Sequence, residues 1–288
     1  MDNSIGLLLK GGLGNQLFQI FTLISKAIDT NKDFYILHDN RDMRPLYSFL
    51  FKSISDKIQV NNYNISNNPD VYNEEIGRVY KRIPDNAIFI NGHFESPLYF
   101  NHNKNKIIDI LQLNQMQFKY KFDFKKIICI HFRFEDSLYN SNFVEKPIYF
   151  INALNVLKDE IKDDFYNYKF VIFSTRGEKD DILTNIYIKE INEGLEIPIN
   201  FIKFIQLYPN ITTEEEFIYM SNCDYFIITS STFSWFAYYI SPFENKKIIM
   251  SEVWCAEKKD FELYNLNGVI KIPSFTFKIN EVFEFYKI

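Results

Sequence analysis

Apolar residues in this chain follow two rhythms that take turns: short unbroken runs of strand length, and longer stretches in which they recur every three or four positions. The run IGLLLK (5–10) leads into the glycine turn GGLG (11–14). Then comes NQLFQIFTLISKAI (15–28), whose apolar residues at 17, 18, 20, 21, 23, 24 and 28 predict an amphipathic helix. DFYILH (33–38) restarts the strand pattern, so the chain opens as a βαβ unit, which implies a parallel sheet. Over 41–85 the pattern weakens: IQV (58–60) is a candidate strand, and the Asn-rich stretch 61–68 reads as loop. AIFIN (87–91) is a further strand, followed by a helical segment around 97–113 and a polar, basic and aromatic connection at 115–126.

A second alternating series then begins. KKIICIHF (125–132), KFVIFS (169–174), INFIKFI (199–205), DYFIITS (224–230) and KKIIMS (246–251) read as strands. Between and after them PIYFINALNVLKDEI (147–161), KDDILTNIYIKEI (179–191), TTEEEFIYMSN (212–222) and STFSWFAYYIS (231–241) read as helices. Two blocks of βα units predict an α/β protein with two Rossmann-like doubly wound domains, 1–118 and 119–288. The tail is weakly patterned, with NGVIKI (267–272) as a late strand and INEVFEFYKI (279–288) as a terminal helix.

Composition narrows the function classes. At 288 residues and 47% hydrophobic content, the chain can fill two cores of ordinary size. Thirty-two basic against thirty-seven acidic residues leave a net charge of −5, so no general attraction to nucleic acid or anionic membrane is expected, and an anionic ligand must be held by local groups. Cys129, Cys223 and Cys255 are odd in number and lack CxxC spacing, which suits reduced thiols in a cytoplasmic protein. His38, His93, His102 and His131 are far apart and form no ligand pair, so no metal is expected. No window approaches 18 uninterrupted apolar residues and the N-terminus lacks a signal-peptide pattern, so neither a transmembrane segment nor a secretory route is expected.

Candidate chemistry gathers at three strand ends. In GGLGNQ, free backbone N–H groups and the positive end of the helix would sit at the top of the sheet, with Asn15 and Gln16 as amides facing a cleft. The spacing is neither GxGxxG nor a P-loop, which disfavours an NAD-type dehydrogenase, and the glycines could serve only a tight turn. In IICIHFRFEDS (127–137), period-two alternation puts His131 and Arg133 on one side and Phe132 and Phe134 on the other. That pair could hold an anion, with arginine's fork suited to phosphate, or Arg133 could simply pair with Glu135 or Asp136. In ITSSTFSWFAYY (228–239), hydroxyls and backbone donors collect at a helix start, as they do both for phosphate binding and for plain capping. Glu214, Glu215 and Glu216 open the preceding helix, where acids suit the helix dipole; a carboxylate there could also accept the N1–H and 2-amino donors of guanine.

Taken together these segments resemble glycosyltransferase family 11, the inverting fucosyltransferases, and more distantly the α1,6- and protein O-fucosyltransferases. KGGLGNQLFQI is similar to the family's GGLGNQxFQ, NGHFESPLYF (91–100) to GYxQSxxYF, HFRFEDS to HxRRxD, and SNCDYFIITSSTFSWFAYYIS (221–241) to the SNSSFSWW segment, in family order from residue 8 to about 255. The resemblance implies a GT-B-like fold, two Rossmann-like domains facing a cleft. It also implies metal-independent transfer of L-fucose from GDP-fucose, with inversion, to a galactoside hydroxyl, in α1,2 linkage.

Carried over residue by residue, Arg133 would bind the donor diphosphate and stabilise departing GDP, with His131 near the nucleotide. Ser231, Thr232, Phe233 and Ser234 would form the phosphate-side turn, and Glu216 would read guanine. Gly12, Gly14, Asn15 and Gln16 would line the cleft from the acceptor side. Asp136 is the first candidate for general base, with Glu95 and Glu145 behind it. The expected partners are a nucleotide-sugar donor and a glycan acceptor, with no cofactor. Phe134 stands where the family has a second arginine, and FSTRGE (173–178) replaces its acids. These departures leave open a transferase of another nucleotide-activated deoxysugar, or an inactive nucleotide-sugar-binding protein.

Overall fold

The computed structural model describes residues 3–39, 42, 44–61, 71–74, 79–134, 143–254 and 262–287. The chain forms two compact units, Met1–Tyr120 with Phe261–Asn265 and Lys121–Asp260 with Leu266–Ile288. The sequence pattern places a boundary at 118/119 and has no signal for the return of 261–265 to the first unit.

The first unit contains strands β1 (Ser4–Leu9), β2 (Asp33–Asp39), β3 (Ile58–Asn61), β4 (Val71–Asn73) and β5 (Phe89–Asn91), and helices α1 (Leu13–Thr30), α2 (Lys104–Ile110) and α3 (Leu113–Lys119). The strands make one sheet in the order β3-β2-β1-β5-β4, parallel throughout. Ile5, Leu7 and Leu9 of β1 are buried on the face they share with Ile36 and His38 of β2, since the register pairs Leu7 with Ile36 and Leu9 with His38. Nearly every residue of α1 from Leu13 to Ala27 is buried, which makes this helix the centre of the unit's core.

The second unit carries β6 (Ile127–Phe132), β7 (Phe143–Glu145), α4 (Pro147–Ile161), β8 (Lys169–Ser174), α5 (Glu178–Gly194), β9 (Phe201–Lys203), α6 (Phe204–Leu207), α7 (Thr213–Ser221), β10 (Tyr225–Ile228), α8 (Thr232–Ile240), β11 (Lys247–Ser251), β12 (Val269–Ile272), β13 (Thr276–Lys278) and α9 (Ile279–Tyr286). Its main sheet has the order β12-β11-β10-β6-β8-β9, again parallel. Every residue of β6 is buried, as a strand covered on both faces must be, and this is why it reads as a continuous apolar run. The first strand of the unit lies in the middle, with β8 and β9 stepping away on one side and β10, β11 and β12 on the other. That is the strand order of the dinucleotide-binding α/β fold, whose winding reverses between β6 and β10.

Several local expectations are corrected. Residues 115–119, expected as connection, belong to helix α3, because Leu113 and Gln117, one turn apart, both turn inward. INFIKFI is a three-residue strand followed by a helical turn, with Phe204 stacked on Phe173. The sequence pattern predicts neither β4 nor the antiparallel pair of β7 with β13.

Candidate active site

The winding of the second sheet brings two of the predicted segments side by side. Ile228 of β10 pairs with His131 of β6, so the residues just beyond them, Arg133 and Ser230 to Phe233, emerge together at the carboxyl edge of the sheet where its topology switches. Arg133 is half-buried and its guanidinium donates to the Ser230 carbonyl across that crevice. His131 is 8% exposed, and its ring lies 6.2 Å from the Phe233 ring, which in turn packs edge-on against Phe217 at 5.4 Å. The histidine, the arginine and the strand–helix junction thus lie together at this edge.

Ser231 is the N-cap residue of α8, in extended conformation, yet its side chain makes no capping bond, and the first turn contains no acid. Among the described residues, neither a side-chain cap at Ser231 nor an acid of the first turn serves the positive end of α8. Ser234 differs from its neighbours. It is fully buried and donates to the Ser231 carbonyl at 3.4 Å, so it braces the first turn and is turned away from any ligand.

Two neighbouring glutamates of α7 take different roles. Glu215 completes a capping box with Thr212: the Thr212 hydroxyl accepts from Glu215 N at 3.2 Å, and Glu215 Oε2 accepts from Thr212 N at 2.9 Å. Glu216 instead turns inward, leaving 14% of its side chain exposed, and pairs with Arg176 at 3.2 Å. Burial pushes its carboxyl up to about 7, and the arginine opposes that rise. Arg176 lies just past the end of β8, and the start of α7 precedes β10, so the pair lies on the same carboxyl edge as Arg133.

Phe134 is not part of this edge. It is 1% exposed and sits in the core with Phe132, Phe150 and Tyr187, its ring 5.1 Å from Tyr187. Alternation turns it to the face opposite Arg133. A charged group at this position would enter an aromatic cluster, so the absent second arginine reflects which way residue 134 points.

In the first unit, the glycine loop follows β1 at the carboxyl edge beside β5. Gly11 has φ +80°, a conformation that favours glycine, and Asn15 folds back against it. Among the described residues nothing lies within 4 Å of where a Gly12 side chain would begin. Gly14 is buried in the first turn of α1. Gln16, expected to face a cleft, is fully buried and donates to the Gly11 and Pro45 carbonyls, each at 2.9 Å. Its role is to tie the loop down.

Gln19, which sequence reasoning passes over, does the same for Lys10, accepting from its N at 3.1 Å and donating to its carbonyl at 2.8 Å. A signal for it exists in the stripe Asn15, Gln19, Thr22 and Lys26, polar residues three or four apart, of which Gln19, Thr22 and Lys26 are buried. Beside the loop, Lys10 donates to Asn91, and Asn91 to Asn73, each at 2.9 Å.

The candidate bases fare differently. Asp136 lies outside the described residues. Glu95 is buried, at 3% exposure, after Phe94, whose φ of 55° is held by Glu74 accepting from the His93 and Phe94 N–H groups. Glu145 is a structural clamp, since its oxygens accept from the Ser274 hydroxyl and the Phe275 N–H and so fasten the strand pair β7–β13. Among the described residues there is no group of His, Cys, Asp or Glu side chains that could hold a metal ion, and no helix is long and apolar enough to cross a membrane. Cys129 and Cys223 are buried free thiols; Cys255 lies outside the described residues.

No protein-family model matches the chain, and no curated protein matches it in sequence. Among solved structures, it is similar to a mutant of Arabidopsis thaliana FUT1 in complex with GDP, at 11% identity and a TM-score of 0.43 over 86% of this chain and 70% of that one. It is similar also to the fucosyltransferase NodZ from Bradyrhizobium, at 11% identity and 0.43 over 84% and 94%. The E. coli heptosyltransferase WaaC with ADP gives 9% and 0.42 over 99% and 97%. With identities near a tenth and scores under 0.5, these likenesses say nothing of what this chain acts on. What its own strand order and edge residues define is a two-unit, doubly wound α/β protein with a polar crevice at the switch point of its second sheet.

Proposed function

We propose that the protein is an inverting, metal-independent glycosyltransferase that moves L-fucose from GDP-fucose to a galactoside hydroxyl in α1,2 linkage. The observation that carries this reading is the meeting of Arg133 with the N-terminus of α8, which has no side-chain cap and no acid in its first turn, at the topological switch point. A diphosphate fits that chemistry: the guanidinium offers a planar fork, and the backbone N–H groups of residues 231–234 offer donors aligned with a helix dipole. The motif resemblance supplies the identity of the sugar and the base.

In the proposed reaction the acceptor hydroxyl attacks the anomeric carbon, the bond from that carbon to the β-phosphate oxygen breaks, and GDP departs carrying the electron pair. Arg133 and the α8 terminus stabilise the charge that builds on the leaving diphosphate, which raises the rate only insofar as they hold it more tightly than the ground state. Asp136 takes the acceptor proton. Gly12 lets the acceptor come close to the backbone at the start of α1.

The test is a donor screen by isothermal titration with GDP, UDP and dTDP, coupled to GDP release from GDP-fucose with lactose and N-acetyllactosamine as acceptors. Selective GDP binding with acceptor-dependent GDP release is expected. Tight UDP or dTDP binding without GDP binding would overturn the donor assignment.

A further inference from the structure

We infer that Lys10, Asn91 and Asn73 form an anion-reading edge on the first sheet, and that the acceptor carries an acidic sugar residue whose carboxylate binds there. The inference rests on the glycosyltransferase reading above and names the chemical class of the acceptor. The three residues end three neighbouring strands. Lys10 follows β1 and directly precedes the glycine loop, Asn91 closes β5, and Asn73 closes β4, with Asn73 and Asn91 paired in register.

The lysine sets the direction of the whole chain of hydrogen bonds. An ammonium only donates, so Asn91 offers it Oδ1, at 2.9 Å, and donates through Nδ2 to Asn73 Oδ1, also at 2.9 Å. Asn73, exposed at the edge, is thereby left with its NH2 group outward. Both amide oxygens face inward along the chain, and what remains at its two ends is donors. A sugar hydroxyl must also place a proton, whereas an ionised carboxylate only accepts, so the carboxylate is the better match.

The charge points the same way. Lys26 and Lys203, both more than nine-tenths buried, each meet an aspartate at 2.6 Å. Lys10 is half-buried, yet among the described residues no carboxylate lies within ion-pair distance of its ammonium, whose partner is a neutral amide. Asp42, beside Gly11, and Glu74, next after Asn73, turn their carboxylates to backbone N–H groups. Lys10 is also fixed in advance: the buried Gln19 holds its backbone and Asn91 holds its ammonium, which lowers the cost of ordering it around a ligand.

The experiment is isothermal titration of the full chain with lactose and with β-galactosyl-glucuronic acid, which is lactose with a carboxylate in place of the glucose hydroxymethyl group. GDP release from GDP-fucose is measured on both. The acidic disaccharide is expected to bind about tenfold or more tighter, the worth of a hydrogen bond between charged groups. Salt at about 1 M should shrink that ratio by screening. Lys10→Met, and independently Asn73→Asp at an exposed residue, should each lower the ratio about tenfold, and Lys10→Arg should keep most of it. A lysine that serves stability alone would alter the melting temperature in Lys10→Met and leave the ratio where it was. If the wild type binds the two disaccharides alike or prefers lactose, or if both Lys10→Met and Asn73→Asp keep its ratio, the inference falls, while acceptor-dependent GDP release still upholds the transferase reading. If the acidic disaccharide is preferred and no GDP is released, the transferase reading falls and the anion-reading edge stands.

Discussion

Replacing Phe134 with arginine would restore the family motif on paper, and the structure predicts that it would damage the protein. Phe134 is 1% exposed, with ring neighbours Tyr187 at 5.1 Å and Phe132 at 5.8 Å. Losing a fully buried phenylalanine forfeits roughly 1.5–3 kcal/mol of transfer free energy. The two aromatic contacts add about 0.5–1.5 kcal/mol each. An unpaired guanidinium in their place costs several kcal/mol more, reduced by whatever part of the side chain can reach water. Even with generous relief, Phe134→Arg should lose at least about 4 kcal/mol, which at roughly 2–4 °C per kcal/mol lowers the melting temperature by about 10 °C. Phe134→Leu should cost only about 1–2 kcal/mol, and it should keep its activity because residue 134 faces away from the crevice. Unfolding can be followed by the fluorescence of Trp235 and Trp254, both buried in the native state. A Phe134→Arg protein with wild-type stability and raised turnover would refute the placement of residue 134 in the core and the account of the missing arginine.

Arg133→Ala should abolish GDP release from GDP-fucose while leaving the melting temperature within about 2 °C of the wild type, since a half-buried surface-edge side chain contributes little to stability; near-wild-type turnover would remove the leaving-group role. Because Glu216 titrates at about 7 in the free protein and guanine needs its ionised form, GDP affinity should fall as pH drops through 7, approaching tenfold per unit, and Glu216→Gln should flatten that profile. The same raised value acts on stability in a defined direction. Between about 4.5 and about 7 the folded state holds a proton that the unfolded state has released. This contribution is therefore full below 4.5 and is lost as pH rises through 7, by at most roughly 3 kcal/mol in urea titrations. Gly12→Ala, at an N-cap with open space around it, should cost about 1 kcal/mol or less and show its effect mainly as a raised KM for the acceptor.

How much of this is legible in the sequence depends on whether the pattern is local. The long βα alternation is readable because the central strands of the second sheet are covered on both faces and its helices on one, so burial writes its period into neighbouring residues. β4 is not, since three residues carry no period and its place is set by pairing Val71 with Phe89. The β7–β13 pair joins segments far apart in the chain, Thr276 opposite Glu145, and nothing in either segment names the other.

At the site, alternation separates Arg133 from Phe134, and the order of motifs indicates one edge. The fates of neighbours are harder to read. Glu215 and Glu216 are the same residue type at adjacent positions, and only the capping geometry of Thr212 decides which is used up. Gln16 and Ser234 are expected from the sequence to meet a ligand and instead brace backbone carbonyls, because burial leaves a polar group no alternative to a protein partner.

The return of Glu262–Asn265 to the first unit bears on how the chain is made. Leu263 and Tyr264 are buried there, Glu262 accepts from Tyr80 N, and the turn packs against Pro97–Tyr99. A ribosome adding about 5–20 residues per second reaches this segment on the order of ten to thirty seconds after Tyr120 has been synthesised. During that interval the first unit must wait, with the surface around Tyr80 and Tyr99 uncovered, for a piece that is made only after most of the second unit. Cutting the gene after codon 120 would make that wait permanent.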